Sequence, residues 1–231
     1  MCGRYTLTKS GGEIRKELPF VGEAEDLQAR FNIAPAQEVP VVTEDRHFSL
    51  MKWGLVPSWA QDPSIGHRMI NARSESVRTK PAFKASLQRR RCLVPADGFY
   101  EWKREDRIRQ PYYFRRKEWR LFFFAGLWDE WSAPDGSTMR TFAILTTAAN
   151  PVVEPVHHRM PVMLDPGQAD AWLGSGALSA ESLTKLTQPF PETDLEAYPV
   201  DRMVNSPALD RPECVAPVCP PPSPPAQPTL F

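Results

Sequence analysis

Apolar residues along the chain come in short runs, most of them weakly alternating, separated by proline, glycine and charged positions. Such runs predict β-strands at 4–8 (RYTLT), 39–43 (VPVVT), 48–53 (FSLMKW), 97–103, 111–116, 120–127, 140–147 and 195–200. The 120–127 run, RLFFFAGL, is apolar almost without interruption, which predicts a strand buried on both faces. Within 97–103 the strand period of two sets Phe99 and Glu101 on one face and Tyr100 and Trp102 on the other. Glu101 is therefore expected to share a buried face with an aromatic ring.

Helical spacing is scarcer. Residues 11–18 carry Ile14 and Leu18 four apart, and 80–89 follow Thr79 as a cap with Pro81 in the first turn. Residues 166–173 follow Asp165, with Pro166 at the first helical position and Gln168 placed for a capping box; 180–187 follow Ser179. Strands before and between short helices predict an α+β fold, β-rich, with a distorted barrel-like sheet core and not a doubly wound sheet. Residues 2–206 read as one domain. Residues 207–231, rich in the chain's 25 prolines, are expected to form an extended or disordered tail.

Composition narrows the possible functions. The 231 residues are 42% hydrophobic, with seven Trp and twelve Phe, enough for a substantial core. Net charge is zero, so there is no global basic field, and any nucleic acid would have to meet a local patch. The four cysteines (Cys2, Cys92, Cys214, Cys219) show no metal-ligand spacing, so neither a metal nor another cofactor is expected. No apolar leader or membrane-length stretch precedes or interrupts the domain, so a cytoplasmic protein is expected.

The chain opens MCGRYTL, with a cysteine directly behind methionine. If Met1 is removed, Cys2 presents an α-amine and a thiol on adjacent carbons. An α-amine titrates near 7.7–8.0 and a thiol near 8.5, so each has a usable nucleophilic fraction at neutral pH. Against an aldehyde, the amine can form an imine and the thiol can close on the imine carbon, giving a five-membered thiazolidine. Both groups sit on one residue, so the second step is intramolecular. Two other readings of Cys2 stand beside this one. It is an incidental small residue at a frayed end, or it is the thiol nucleophile of a Cys/His hydrolase with the α-amine as base.

Eight further segments follow in order. They are FNIAPAQ (31–37), WGLVPSW (53–59), NARSES (71–76), RCLVPADGFYEW (91–102), FAGLW (124–128), FAILTTAAN (142–150), HHRMPVML (157–164) and VNSP (204–207). Together with MCGR they closely resemble the SOS-response-associated peptidase (SRAP) family of abasic-site processing proteins, over residues 2 to about 207.

The resemblance implies a DNA-damage function. The N-terminal cysteine captures the aldehyde of an abasic site as a thiazolidine DNA–protein cross-link, and the peptidase label refers to release of the leading methionine. The implied partners are single-stranded DNA containing abasic sites and single-strand/double-strand junctions, met by a monomer associated with damaged DNA in the nucleoid. It implies Cys2 as nucleophile, Asn71 as the amide that holds the reacting centre, Glu101 as proton shuttle and His157 as the catalytic imidazole, with His158 its rival. DNA contacts are implied for Arg4, Arg73 and Arg159 at phosphates, and for Trp59 and Pro35 as apolar surface against bases. Ala60 stands where some relatives carry a second aromatic, and 60–70 is longer than in those relatives. The competing expectation is a thiol peptidase acting on other proteins through Cys2, His157 and Glu101.

Overall fold

Thirteen short strands and four short helices make up the computed structural model, which describes residues 2–22, 27–105, 108–174 and 176–218. In chain order the strands are β1 (Tyr5–Leu7), β2 (Arg30–Ile33), β3 (Glu38–Thr43), β4 (Phe48–Trp53), β5 (Asn71–Arg73), β6 (Arg91–Ala96) and β7 (Gly98–Glu105). They continue with β8 (Ile108–Arg116), β9 (Phe122–Ser132), β10 (Thr138–Ala148), β11 (Arg159–Pro161), β12 (Met163–Leu164) and β13 (Leu195–Pro199). The helices are α1 (Gly11–Glu17), α2 (Pro81–Arg89), α3 (Pro166–Leu173) and α4 (Ala180–Leu186).

Five strands close on themselves: β10 pairs with β4, β4 with β3, β3 with β6, β6 with β9, and β9 again with β10. Ring closure removes the open edges that a flat sheet of these apolar strands would expose. The expected β-rich, barrel-like α+β fold is what the chain forms. Phe122 through Leu127 are all buried, in keeping with the uninterrupted apolar run. A second sheet, ordered β13-β8-β7-β1-β2, lies against the barrel. Tyr5 of this sheet meets Trp53 and Phe124 of the barrel edge-on, with ring centroids 5.3 and 5.6 Å apart.

The two sheets share one stretch of chain. β6 runs in the barrel and β7 in the second sheet, with Asp97 between them. Asp97 is fully buried. Its carboxylate accepts from the Thr6 hydroxyl at 2.5 Å, from the Thr8 backbone N–H at 2.6 Å and from the Thr8 hydroxyl. Next to it, a Cβ on Gly98 would collide with the ring and phenolic oxygen of Tyr113. Only glycine lets that ring lie over the strand.

Several local expectations change. β6 was not legible as a strand because Pro95 interrupts it. In the fold, Pro95 pairs only with β9, beyond the Cys92–Leu93 stretch that β3 also joins, so the missing N–H can face the open side. The short strands β2, β5, β11 and β12, two to four residues each, lack the length for a period to show. Thr79 does not cap α2; the N-cap is Lys80, and the Thr79 hydroxyl donates to the Ser76 carbonyl. Asp165 and Gln168 form the expected capping box of α3, and Ser179 caps α4.

The largest correction concerns the tail. Residues 207–218 are packed, not disordered. The Asp210 carboxylate accepts from the backbone N–H groups of Phe31 and Asn32, at 2.5 and 3.0 Å, and from the Arg30 guanidinium. Cys214 is fully buried in a small cluster with Tyr100, Tyr113, Val200 and Val204, on the face of the second sheet turned away from the barrel. The composition was proline-rich, but one acid and one thiol at the right places anchor the segment. The remaining proline-rich stretch, 219–231, lies outside the described residues, as does Met1.

Candidate active site

Four elements deliver the side chains singled out above. The antiparallel register of β1 against β7 (Tyr5 opposite Phe99, Thr6 opposite Gly98) carries the chain back from Tyr5 alongside Tyr100 and Glu101. The Tyr100 N–H donates to the Arg4 carbonyl at 3.0 Å, and Cys2 follows. β10 holds β5 on one side (Ile144 opposite Asn71, Thr146 opposite Arg73) and β11 on the other (Ala148 opposite Arg159). Asn71 and the His157–Arg159 segment thus reach the same end of the barrel from different strands.

Cys2 is fully buried. The Asn71 side-chain amide donates to the Cys2 carbonyl at 2.8 Å. The other end of that amide, Oδ1, is buried and makes no hydrogen bond among the described residues. The Cys2 sulfur faces the Arg4 carbonyl at 3.7 Å. Burial, and then the charge of Glu101, push the thiol well above its ordinary range, so it is held as S–H.

Glu101 is buried, as its place on the Phe99 face predicts. Burial pushes its carboxyl from an ordinary 4.5 up to about 7. That value suits a group asked both to give and to take a proton near neutrality. It also carries a stability consequence. The native state holds the Glu101 proton more tightly than the unfolded chain, so stability falls as pH rises from 4.5 through about 7. The loss is about 3 kcal/mol at most, at 1.36 kcal/mol for each pH unit separating the two values. Glu101→Gln removes this slope, so the variant gains on the wild type between pH 5 and pH 8. Urea denaturation at the two pH values checks it; equal slopes in both proteins would refute the buried-carboxyl assignment.

His157 is half-buried. Its Nδ1 lies between two groups of one residue, 3.0 Å from the Arg159 N–H and 3.1 Å from the Arg159 carbonyl. Bare Nδ1 accepts from the N–H, and protonated Nδ1 donates to the carbonyl. Either protonation state keeps a hydrogen bond, so the ring can change state without moving. Burial lowers its affinity for a proton. His158 stacks on it, centroids 4.5 Å apart, and is exposed. The neighbouring ring is the main reason that His158 also titrates low.

A buried thiol, an amide and a carboxyl around the second residue form an arrangement that comparison with known proteins can place. The family model described as SOS response associated peptidase (SRAP) matches residues 1–207. This chain belongs to the SRAP family. The "Abasic site processing protein YoqW" of Bacillus subtilis (strain 168) is 39% identical to it, over 93% of this chain and 99% of that protein. The "Abasic site processing protein HMCES" of Xenopus tropicalis is 30% identical, over 94% of this chain and 78% of that protein. A crystal structure of a protein from Bacteroides thetaiotaomicron superposes with a TM-score of 0.84 at 25% identity, covering 94% of this chain and all of that one.

In this SRAP chain the residues expected at DNA are dispersed and unequally available. Arg4 is differently employed. Its guanidinium donates to Asn32 Oδ1 at 2.8 Å, to the Val204 carbonyl at 2.6 Å and to the Asn205 carbonyl at 3.2 Å, which fastens β1 to the 204–210 segment. Arg73 is exposed and makes no ion pair among the described residues. Arg159 is engaged by Glu75. Pro35 is half-buried beside Ala36, whose φ of 70° is left-handed.

Trp59 is 60% exposed and stands beside a cavity of about 410 Å³ lined also by Ile65, Arg68 and Met69. None of Cys2, Asn71, Glu101 or His157 lines that cavity. The loop carrying Trp59 is pinned from behind. Thr141 Oγ1 accepts from Val56 N, Asp129 Oδ2 accepts from Ser58 N, and Trp131 Nε1 donates to the Ala60 carbonyl. Asp129, Trp131, Asn32 and Glu75 were not singled out in the sequence. Each acts across more than twenty residues of chain; Asn32 and Glu75 lie within FNIAPAQ and NARSES, but nothing in those segments names their distant partners.

Proposed function

We propose that this protein captures abasic sites in single-stranded DNA, including those near single-strand/double-strand junctions, as a covalent thiazolidine adduct through Cys2. The observation that carries the reading is the Asn71 amide bonded to the Cys2 carbonyl, with the buried Glu101 carboxyl near enough for its charge to raise the Cys2 thiol. The names of the SRAP relatives above, abasic site processing proteins, give the substrate class.

The steps follow from the groups present. Removal of Met1 frees the Cys2 amine. His157 gives and takes the proton that opens the sugar hemiacetal to its aldehyde. The amine attacks the aldehyde carbon, and the carbinolamine loses water as the protonated Glu101 supplies a proton to the departing oxygen. The thiol sulfur then adds to the imine carbon. Its proton passes through the Glu101 carboxylate to the nitrogen, and the ring closes. One water is released and nothing is oxidised or reduced. Asn71 holds the Cys2 backbone, and its buried, unbonded Oδ1 supports a role as acceptor from the amine or from the carbinolamine hydroxyl.

A peptidase acting on other proteins through a Cys2 thiolate fits less well, because burial holds this thiol protonated. An amine that attacks first does not need a thiolate.

The test uses protein whose intact mass shows Met1 absent. It is incubated with single-stranded oligonucleotides that carry, or lack, one abasic site and is then heated in denaturant. A heat-resistant adduct is expected with the abasic strand alone. No adduct from a verified Cys2-terminal preparation would overturn the proposal, as would an equal yield with both strands. Retention of Met1 in material that still cross-links would overturn the amine's role.

A further inference from the structure

We infer that Glu75 is a specificity-determining residue, occupying the guanidinium fork of Arg159 with its own carboxylate until a DNA phosphate delivered at the site takes its place. The inference rests on the proposed reading that this end of the barrel faces DNA.

The guanidinium of Arg159 is already committed. Nη1 donates to Glu75 Oε1 at 2.6 Å and Nη2 to Glu75 Oε2 at 3.0 Å, a bidentate pairing. Nη2 donates also to the Thr146 carbonyl at 2.6 Å and to the Thr146 hydroxyl at 3.2 Å. Nε is buried and makes no hydrogen bond among the described residues. Only 11% of the Arg159 side chain is exposed, against 55% of Glu75. The outer edge of the fork is therefore the one a phosphate could use, and the carboxylate stands on it. Carboxylate and phosphate present the same two-oxygen geometry to this fork, so the two compete for one place.

The positions make the competition local. Thr146 lies opposite Arg73 on one side of β10, and the next strand over carries Arg159. Glu75 is two residues beyond Arg73, yet it is Arg159 that it binds, and Arg73 remains exposed. Arg159 holds the Glu75 carboxyl below its usual range, so the competitor stays charged at neutral pH. With Glu75 in place, the three side chains carry one net positive charge; with it swung into water, two positive charges face the strand. Glu75 is exposed enough to swing without burying anything.

An intact strand that touches the surface briefly thus meets a weakened cation cluster. A strand held by its abasic site keeps its phosphate at high effective concentration beside Arg159 and displaces the carboxylate. The chain's zero net charge fits the same logic, since sequence-independent phosphate binding works against discrimination.

The experiment is fluorescence anisotropy with a labelled single-stranded oligonucleotide that has no abasic site, over a range of salt. Glu75→Gln is expected to bind this strand roughly 2- to 5-fold more tightly than the wild type at low salt, the range of one exposed ion pair. Its plot of log affinity against log salt should steepen by about 0.7, one additional phosphate on a single strand. Glu75→Ala, which cannot hydrogen-bond to Arg159 at all, must shift in the same direction. Equal or weaker binding by both variants overturns the inference, because Glu75 would then serve only to orient Arg159. The cross-linking assay on the wild type is scored separately. An adduct with unchanged Glu75 variants sinks this inference alone, whereas no adduct sinks the functional reading itself.

Discussion

Cys2→Ala gives no heat-resistant adduct with abasic DNA, although the Met1-free variant keeps an α-amine. The amine alone can form only an imine, which water reverses. The thiol converts it to a ring because both nucleophiles sit on one residue, and well-placed intramolecular partners reach effective concentrations of about 10⁵–10⁸ M. Cys2→Ser separates the two steps. It should yield an adduct that survives heating only after borohydride reduction, the mark of a trapped imine. Asn71→Ala leaves both nucleophiles but releases the Cys2 carbonyl, and a loss of about 10²-fold in rate is expected from a lost transition-state contact of this kind. A denaturing gel over a time course reads all three. Full adduct from Cys2→Ala would end the thiazolidine reading.

Asp97→Ala lowers unfolding stability by at least about 4 kcal/mol, close to the lower limit for losing three charge-assisted bonds of about 1.5–3 kcal/mol each. The Thr6 hydroxyl and the Thr8 N–H and hydroxyl all donate to this one carboxylate, at the place where the chain passes from barrel to second sheet. At about 2–4 °C per kcal/mol for a domain of this size, the midpoint should drop by about 10 °C. Asp97→Asn keeps the shape and some acceptor capacity and should fall between. Thermal and urea denaturation measure it, and a change below about 1 kcal/mol would show that the threonines find other partners. Cys2 lies four residues before Thr6 in the chain, so cross-linking should weaken along with stability.

The sequence was most informative where a physical period or a cap operates over several residues. The FFFAGL of the RLFFFAGL run became the fully buried part of β9, the Phe99/Glu101 face turned inward, and Asp165 with Gln168 closed their capping box. It was least informative where one long-range bond decides the outcome. Asp210 turns a proline-rich stretch into packed structure by accepting from residues about 180 positions earlier. Glu75 changes what Arg159 can do, and Arg4 looks from its position like a phosphate contact while its donors are taken by Asn32, Val204 and Asn205. For the candidate site, motif order was enough to name Cys2, Asn71, Glu101 and His157. The double-sided hydrogen bond of His157 Nδ1 and the bare Asn71 Oδ1 needed the assembled strands.

The grip of Arg4 on Val204 and Asn205, and of Asn32 on the carbonyls of Val204, Ser206 and Leu209, sets an order of events during synthesis. Cys2 leaves the ribosome about 200 residues before the partners that fix the chain beside it. Until residue 210 has emerged, the segment that carries Cys2 lacks its fastening. On the proposed reading, the reactive end of the polypeptide is made early and armed late.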